Sequence, residues 1–520
     1  MNFIVLRPFQ WVVFGLFIFS LSMLFFDHFY ISRIISDTSA HYIYGELVYE
    51  KGEFFPTDFY YANDLFFLRP HFMIALFRML GMRGFENYAL SCSALLATGV
   101  TLIAYTSLRL LDLSFRQASI VAILTFLPLG YSEYEFILAQ QSHCQQIILT
   151  LLAALFLYAA CREKKLDFVI PAGLGLSLLA WDSPLRALLL LAAITLALGI
   201  EKINRPFLIR TVLILLSCFL IGSVINQSIK VDIHGVHSKL VLAQMSDIGS
   251  HVQTLTQSFL TEFLGTEDFA EMPLDVFSTA ALTAKFIMGG LFLLALIDAA
   301  LKSALSIHRP VTSLPFDFIN RVGVILCLMG TVIALFTYVD ADVRHFLPGL
   351  VLIKFAIFIR VFGSAQIARP LRFLAAATVM LSLAVVPKIL IEDFQKQDQI
   401  SDRENRDFAE QIRVIADEKN LAKPVTLYGT FGNSVAFEIL MPELIQTAPI
   451  SHANGDMHIF KWLSRPSRYC HSGPVLVMTD SDDHGLAEII EKHGGHYAGR
   501  SFEKTIFIMD GDQLKDCRQK

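Results

Sequence analysis

Charge is what this chain is short of. Asp, Glu, Lys and Arg supply 17% of its 520 residues, where a soluble domain carries about a quarter. That shortage excludes an ordinary soluble fold. No run of Lys and Arg occurs, and the formal net charge of -5 is small, so no nucleic-acid partner is expected. Cys-x-x-Cys pairs and His/Cys patterns at zinc-ligand spacing are missing. So are the G-x-S-x-G nucleophile turn, the P-loop and the dinucleotide fingerprint. The first apolar segment, 9–27, has no small-x-small cleavage site and runs into Phe25-Phe26-Asp27-His28-Phe29. It is expected to remain as an anchor.

What the chain does have is apolar length. Hydrophobic residues make up 54% and the mean hydropathy is +0.54. They fall in blocks of about 18 to 25 residues, enough to cross the hydrocarbon of a bilayer. The expected spans are 9–27, 86–108, 117–132, 143–160, 167–181, 186–200, 207–226, 283–301, 322–338, 346–362 and 371–387, about eleven in all. Under that count Arg109, Arg116, Arg162, Lys164, Lys165, Lys202, Arg205, Arg210, Lys302, Arg309, Arg321, Arg360, Arg369 and Arg372 fall on one side. The positive-inside rule makes that side cytoplasmic, with the N-terminus there and the C-terminal region outside. Large external loops then cover about 28–85 and 227–282. The fold class is an α-helical polytopic membrane protein, a transmembrane unit over 1–390 followed by a small extracytoplasmic α/β domain over 391–520.

The tail differs in material. Charges are dense from Glu392 onward, and 402–421 carries a helical stripe through Phe408, Ile412 and Ile415. Strands are expected at 424–428 and 474–478, a helix at 485–493 and a closing strand at 504–510. Five of the seven cysteines lie in or beside spans, where a thiol acts as a small hydrophobe. Cys470 and Cys517 lie in the tail, and an oxidising compartment would let them pair.

Polar residues collect on the external side. Asp37, His41 and Tyr44 stand at i, i+4 and i+7, one face if the stretch after the first span is helical. An acid and an imidazole at a membrane mouth are costly as mere structure, which points to the entrance of an enzyme, with a helix cap as the alternative use of Asp37. Asp58 and Asp64 flank Phe59-Tyr60-Tyr61, a pattern that suits a sugar and also an interfacial aromatic belt. Arg69, Arg186 and Arg344 stand at span mouths, where guanidinium suits a phosphate. Arg344-His345 has Asp340 and Asp342 beside it, so an Arg–Asp pair holding helix ends is the second reading. Glu133 and Glu135, with Asp37, make a candidate oxygen-ligand set for a divalent cation such as Mg or Mn; ordinary acids at a helix end are the other reading. Gln140, Gln141, His143, Gln145, Gln146 and Asp182 form a polar mouth to the fourth and fifth spans. The acidic run Asp480–His484 lacks the Gly and Glu of a calcium loop and is read as a helix N-cap. Residues 244–263 have an amphipathic pattern and are expected to form a lid.

In this order of features the chain resembles the GT-C superfamily, membrane glycosyltransferases that draw sugar from a polyprenyl-phosphate carrier. Leu68-Arg69-Pro70-His71 leading to Gly81-Met82-Arg83-Gly84-Phe85-Glu86-Asn87 is similar to the Lys-Pro-Pro…Gly…Asn/Glu-Glu passage of aminoarabinose and protein-mannosyl transferases. Pro171–Trp181 resembles their Gly-rich fifth span, and Asp340–Pro348 their Arg-Tyr-x-x-Pro element. Asp37-Thr38 stands where the family has Asp-Glu.

The resemblance implies an inverting glycosyltransferase of the bacterial inner membrane, part of cell-envelope chemistry. Asp37 would be its general base, and Arg344, with Asp340, Asp342 and His345 beside it, would hold phosphate. His41, Tyr44, Asp58, Asp64, Arg69 and Arg186 complete the expected substrate-binding set. The partners are a polyprenyl-phosphate-linked sugar, a glycan, glycolipid or protein acceptor, and the bilayer itself. Rival readings are a transporter or flippase of lipid-linked sugars and a non-catalytic envelope assembly protein. The first is disfavoured because no internal repeat is visible.

Overall fold

A computed structural model describes residues 3–30, 34, 36–61, 65, 68–128, 130–201, 203–229, 231–233, 241–264, scattered positions over 279–301, 315–338, 343–363, 404, 407–480, 483–501 and 504–518. The helices run α1 (Phe3–Phe25), α2 (Ser36–Lys51), α3 (His71–Met79), α4 (Gly84–Leu110), α5 (Phe115–Phe126), α6 (Tyr131–Glu133) and α7 (Cys144–Glu163). They continue with α8 (Val169–Asp182), α9 (Pro184–Ile200), α10 (Arg205–Ser228), α11 (Ile248–Leu264), α12 (Pro315–Phe336) and α13 (Leu347–Phe358). Among the described residues six helical stretches are long and apolar enough to cross a membrane: Pro8–His28, Gly84–Leu110, Cys144–Glu163, Arg205–Ser228, Asp317–Phe336 and Val343–Phe362. The chain is a multi-pass membrane protein.

One expected span is shorter than drawn, and two others lie within two residues of where they were expected. The span set at 117–132 stops at Phe126, because Leu127 precedes Pro128 and takes an extended conformation. Those at 167–181 and 186–200 are α8 and α9, helices of 14 and 17 residues. Pro184 starts α9, where its missing N–H has no intrahelical partner to lose. The span at 371–387, and most of that at 283–301, lies outside the described residues. One apolar core joins α4, α5, α7, α8, α9, α12 and α13 through residues such as Val100, Val121, Leu151, Leu155, Leu176, Ile194, Val322 and Phe355.

After 407 the chain forms a six-stranded sheet in the order β5-β4-β3-β6-β8-β7. The strands are β3 (Val425–Thr430), β4 (Ile445–Ala453), β5 (Asp456–Ile459), β6 (Pro474–Asp480), β7 (His496–Ser501) and β8 (Lys504–Asp510). β3 pairs parallel with both β4 and β6, and the outer pairs are antiparallel. The strand expected to close the sheet, β8, lies between β6 and β7. Phe408, Ile412 and Ile415 cover one face as their spacing requires, packing on Leu427, Leu476 and Ile506. Asp483 caps the helix His484–Lys492 by accepting from Leu486 N at 3.0 Å, the use expected of that acidic run. Cys470 and Cys517 are disulfide-bonded.

This sheet unit docks on the start of the membrane unit. β1 (Tyr60–Tyr61) pairs with β2 (Asp232–Ile233), and Tyr60 also exchanges backbone hydrogen bonds with the 463–464 segment at 2.8 Å. Ser36 Oγ donates to Gly432 O at 3.1 Å, and Arg465 reaches Glu50 at 2.8 Å. Gly84 lies at the seam with φ +59°, and a Cβ there would lie 2.9 Å from Ile439 O. Gly84→Ala should destabilise the protein by about 1–2 kcal/mol from the left-handed backbone alone, with a further loss from the clash. Gly52, at φ +65° with open space around it, isolates the backbone part. A lower thermal midpoint for Gly84→Ala than for Gly52→Ala, in purified protein, is the expected result.

Candidate active site

α2 begins a few residues past the first span and is buried on almost every face, with Ala40, His41, Tyr44, Gly45 and Leu47 enclosed. Asp37 sits in its first turn and stays half-buried. Its carboxylate accepts no hydrogen bond from a described residue, so it is not spent as a helix cap. Burial raises its pKa, while the positive charges of Arg69 and then Arg344 pull it back down. A carboxylate and two guanidiniums from segments far apart in sequence therefore meet.

Arg69 Nη1 lies 3.2 Å from His41 Nε2. Guanidinium can only donate, so Nε2 accepts and the proton of this imidazole resides on Nδ1. Burial, then Arg69, then His71 push the pKa of His41 well below its usual value. His41 is thus a neutral prop for Arg69 and not a second cation for phosphate. His71 is also fully buried, and burial with Arg69 lowers its pKa strongly. Both its ring nitrogens lack a partner among the described residues. Its ring meets Tyr44 edge-on at 4.5 Å and Phe72 at 4.0 Å. Reading the sequence alone did not single out His71; the only signal was its place directly after Arg69-Pro70.

A chain of polar contacts fixes the third arginine. Arg186 Nη1 donates to Gln146 Oε1 at 2.7 Å, and Gln146 Nε2 donates to Asp182 Oδ2 at 2.9 Å. The other oxygen of Asp182 accepts from Leu68 N at 3.2 Å. Buried Asp182 therefore anchors both the Arg186 helix start and the backbone next to Arg69. Arg344, in the turn Val343–Phe346, lies over the Phe136 ring at 5.7 Å. His143 stands within electrostatic reach of Arg186, Arg69, His345 and Arg344 together. Arg69, Arg186, Arg344 and His345 are thus all within electrostatic reach of His143, and Arg69 and Arg344 of Asp37 as well.

The remaining expected residues lie elsewhere. Tyr44 OH is engaged with Tyr61 OH at 3.1 Å and the Phe54 carbonyl at 3.3 Å, inside an aromatic cluster. Asp58 holds the sheet unit: Oδ1 accepts from Ser467 N at 2.8 Å, Oδ2 accepts from Ser467 Oγ, and Arg465 is 3.8 Å away. Asp64, Asp340 and Asp342 lie outside the described residues.

Of the expected cation set, Glu133 and Glu135 have partners within the protein. Glu133 is ion-paired with buried Lys354 at 2.7 Å. Glu135 accepts from Tyr30 OH at 3.1 Å and Gln140 Nε2 at 2.9 Å. No group of three His, Cys, Asp or Glu among the described residues could hold a metal ion. Lys354 and Glu262 are residues that sequence reading missed. Lys354 lies within the apolar helix α13 and also donates to Leu127 O. Glu262, on amphipathic α11, accepts from Ser132 N at 2.9 Å and Glu133 N at 3.4 Å. Leu255 and Phe263 of α11 pack toward Phe346 and Val343, while Met245 and Val252, within the amphipathic 244–263 segment, stay exposed.

No protein-family model and no curated protein matches the chain. Among solved structures it is similar to the crystal structure of ArnT from Cupriavidus metallidurans in the apo state, at 11% identity and a TM-score of 0.44, over 98% of this chain and 99% of that one. It is similar to the same protein bound to undecaprenyl phosphate at 10% identity, with the same coverage and TM-score.

The Glu133–Lys354 pair has a thermodynamic signature. Lys354→Met should destabilise the protein by about 3–5 kcal/mol, because it leaves Glu133 buried without its counter-ion. Adding Glu133→Leu should recover most of that loss. Thermal unfolding of the two single variants and the double variant gives the coupling, and additive losses would sink the assignment.

Proposed function

We propose that this protein is an inverting glycosyltransferase that moves a sugar from a polyprenyl-phosphate carrier to an acceptor hydroxyl on the extracytoplasmic face of a bacterial inner membrane. The observation that carries the proposal is the half-buried Asp37 carboxylate, unengaged by any described hydrogen-bond donor, within electrostatic reach of Arg69 and Arg344. A base next to fixed cations is what proton removal coupled to phosphate departure requires. The sequence resemblance to the GT-C superfamily supplies the substrate class. In this reading 1–390 is the catalytic unit and 391–520 an external domain.

The step balances as follows. Asp37 takes the proton of the acceptor hydroxyl, and that oxygen attacks the anomeric carbon from the face opposite the phosphate. The bond from anomeric carbon to phosphate oxygen breaks, and polyprenyl phosphate leaves with the electron pair. Arg344, with Arg69 and Arg186, meets the negative charge that develops. Neutral His41 and the Gln146–Asp182 chain keep the guanidiniums aimed. The protein's own groups carry each part of this step, while Glu133 and Glu135 are engaged with Lys354 and Tyr30.

Asp37→Asn should reduce transfer by roughly 10²–10⁴-fold at matched protein level. The readout is mass spectrometry of lipid and envelope-glycan extracts from a host lacking the chain. A sugar-sized mass increment that persists with Asp37→Asn would falsify the assignment of the base.

The pH profile adds an independent check. The base works ionised, and burial holds its pKa above the usual carboxylate range. Activity therefore rises with pH through that raised value and is lost as pH falls below it. Arg69→Met removes a charge that lowers the pKa, so the acidic limb should move to higher pH. An unmoved limb would mean that the titrating group is not Asp37.

A further inference from the structure

The turn leaving the central strand β3 carries two chemically different sides. Phe431 lies against Phe460 with ring centroids 5.4 Å apart and against Trp462 at 5.2 Å, and Phe460 and Trp462 are 5.9 Å apart. All three rings are half-buried. Two positions on, Asn433 donates to Asp480 at the end of β6, and Lys504 Nζ also donates to Asp480, at 2.6 Å. β3 has a parallel neighbour on each side, β4 and β6. The strand order therefore reverses here, where crevices at the carboxyl ends of parallel strands bind ligands.

This turn touches the catalytic helix. Gly432, between Phe431 and Asn433, accepts from Ser36 Oγ at 3.1 Å, and Ser36 directly precedes Asp37. Phe431 and Trp462 also pack on the apolar side of α2 formed by Ala40, Ile43, Tyr44 and Leu47. The indole Nε1 of Trp462 is enclosed and has no acceptor among the described residues. A buried donor left in that state is costly, and a ligand hydroxyl would relieve it.

We infer that Phe431, Phe460 and Trp462, rimmed by Asn433 and Asp480, form the subsite for a pyranose ring of the acceptor glycan. The inference rests on the sugar-transfer reading above and specifies where the acceptor is held. The aromatic faces take the apolar C–H face of the ring, and the amide, carboxylate and indole N–H take its hydroxyls. The seam through Ser36 and Gly432 then hands the acceptor hydroxyl to Asp37. This makes the sheet unit part of the substrate site and not only a cover.

The test uses full-length protein in nanodiscs and isothermal titration calorimetry. The probe is the pool of oligosaccharides released by mild acid from the envelope of the source cells. Wild type and Asp37→Asn should both show saturable binding, and Phe431→Tyr should retain it. Phe431→Leu keeps apolar volume but no ring face, and should bind about tenfold or more weakly. Binding by Phe431→Leu equal to wild type, or no saturable heat with wild type, overturns the subsite. The transfer assay separates the two readings. Transfer lost in Asp37→Asn while Phe431→Leu binds normally removes the subsite and leaves the activity. Transfer retained in Asp37→Asn while Phe431→Leu loses binding removes the base and leaves the subsite.

Discussion

Like charges held together at the edge of a membrane are the constraint around which this protein is arranged. Like charges in a medium less polar than water repel over several ångströms, so neighbouring guanidiniums need support. Arg69, Arg186 and Arg344 persist in one place because the groups around them are chosen to bear it. His41 and His71 are kept neutral by burial and add no fourth or fifth charge. His41 instead accepts from Arg69. Gln146 passes the negative end of Asp182 to Arg186 without placing a carboxylate in the centre. Phe136 offers Arg344 the face of its ring. Among the described residues, Asp37 brings a negative charge within reach of Arg69 and Arg344.

The surrounding elements make sense as supports of that arrangement. Asp182 ties Leu68, next to Arg69, to the junction of α8 and α9. Glu262 of α11 caps the backbone at Ser132 and Glu133, and Glu133 in turn holds Lys354 of α13. The second acidic cluster thus fixes the turn that leads to Phe136, against which Arg344 rests. Of the acids that resembled metal ligands in the sequence, Glu133 serves as a counter-ion to Lys354 and Glu135 accepts from Tyr30 and Gln140.

Much of this was legible from residue order. Apolar block length located the helices, and turn chemistry with alternation located β3, β6, β8 and the helix at 484. Asp37 and the three external arginines stood out because ionisable groups near a bilayer are rare and expensive. What escaped reading depends on contacts between distant segments. Lys354 sits in an apolar run and is recognisable as paired only when α6 is beside α13. His71 looked like a departure from a motif, yet the fold places it under Tyr44 and beside Arg69. Asp58, flanked by aromatics, suited a sugar equally well as the backbone of Ser467, which lies 409 residues away. The end of α5 was set too late, because the apolar run continues past the point where Leu127, before Pro128, turns extended.

The placement of Asp37 also answers why an enzyme of this layout would carry a sheet domain. A base in the first turn of a buried helix can be approached only from where that helix remains open. The membrane unit closes one side with Arg69, Arg186 and Arg344, all suited to an anion that stays with the bilayer. The other side is closed by the 431–434 turn through Ser36, and its aromatic and amide groups suit a neutral, hydroxyl-rich ligand. The two sides differ in charge, so in the proposed reaction an anionic donor and a neutral acceptor would be drawn to different sides. In the proposed reaction the 431–434 turn, held to Ser36, would help to keep water, the unwanted acceptor, away from the neighbouring base.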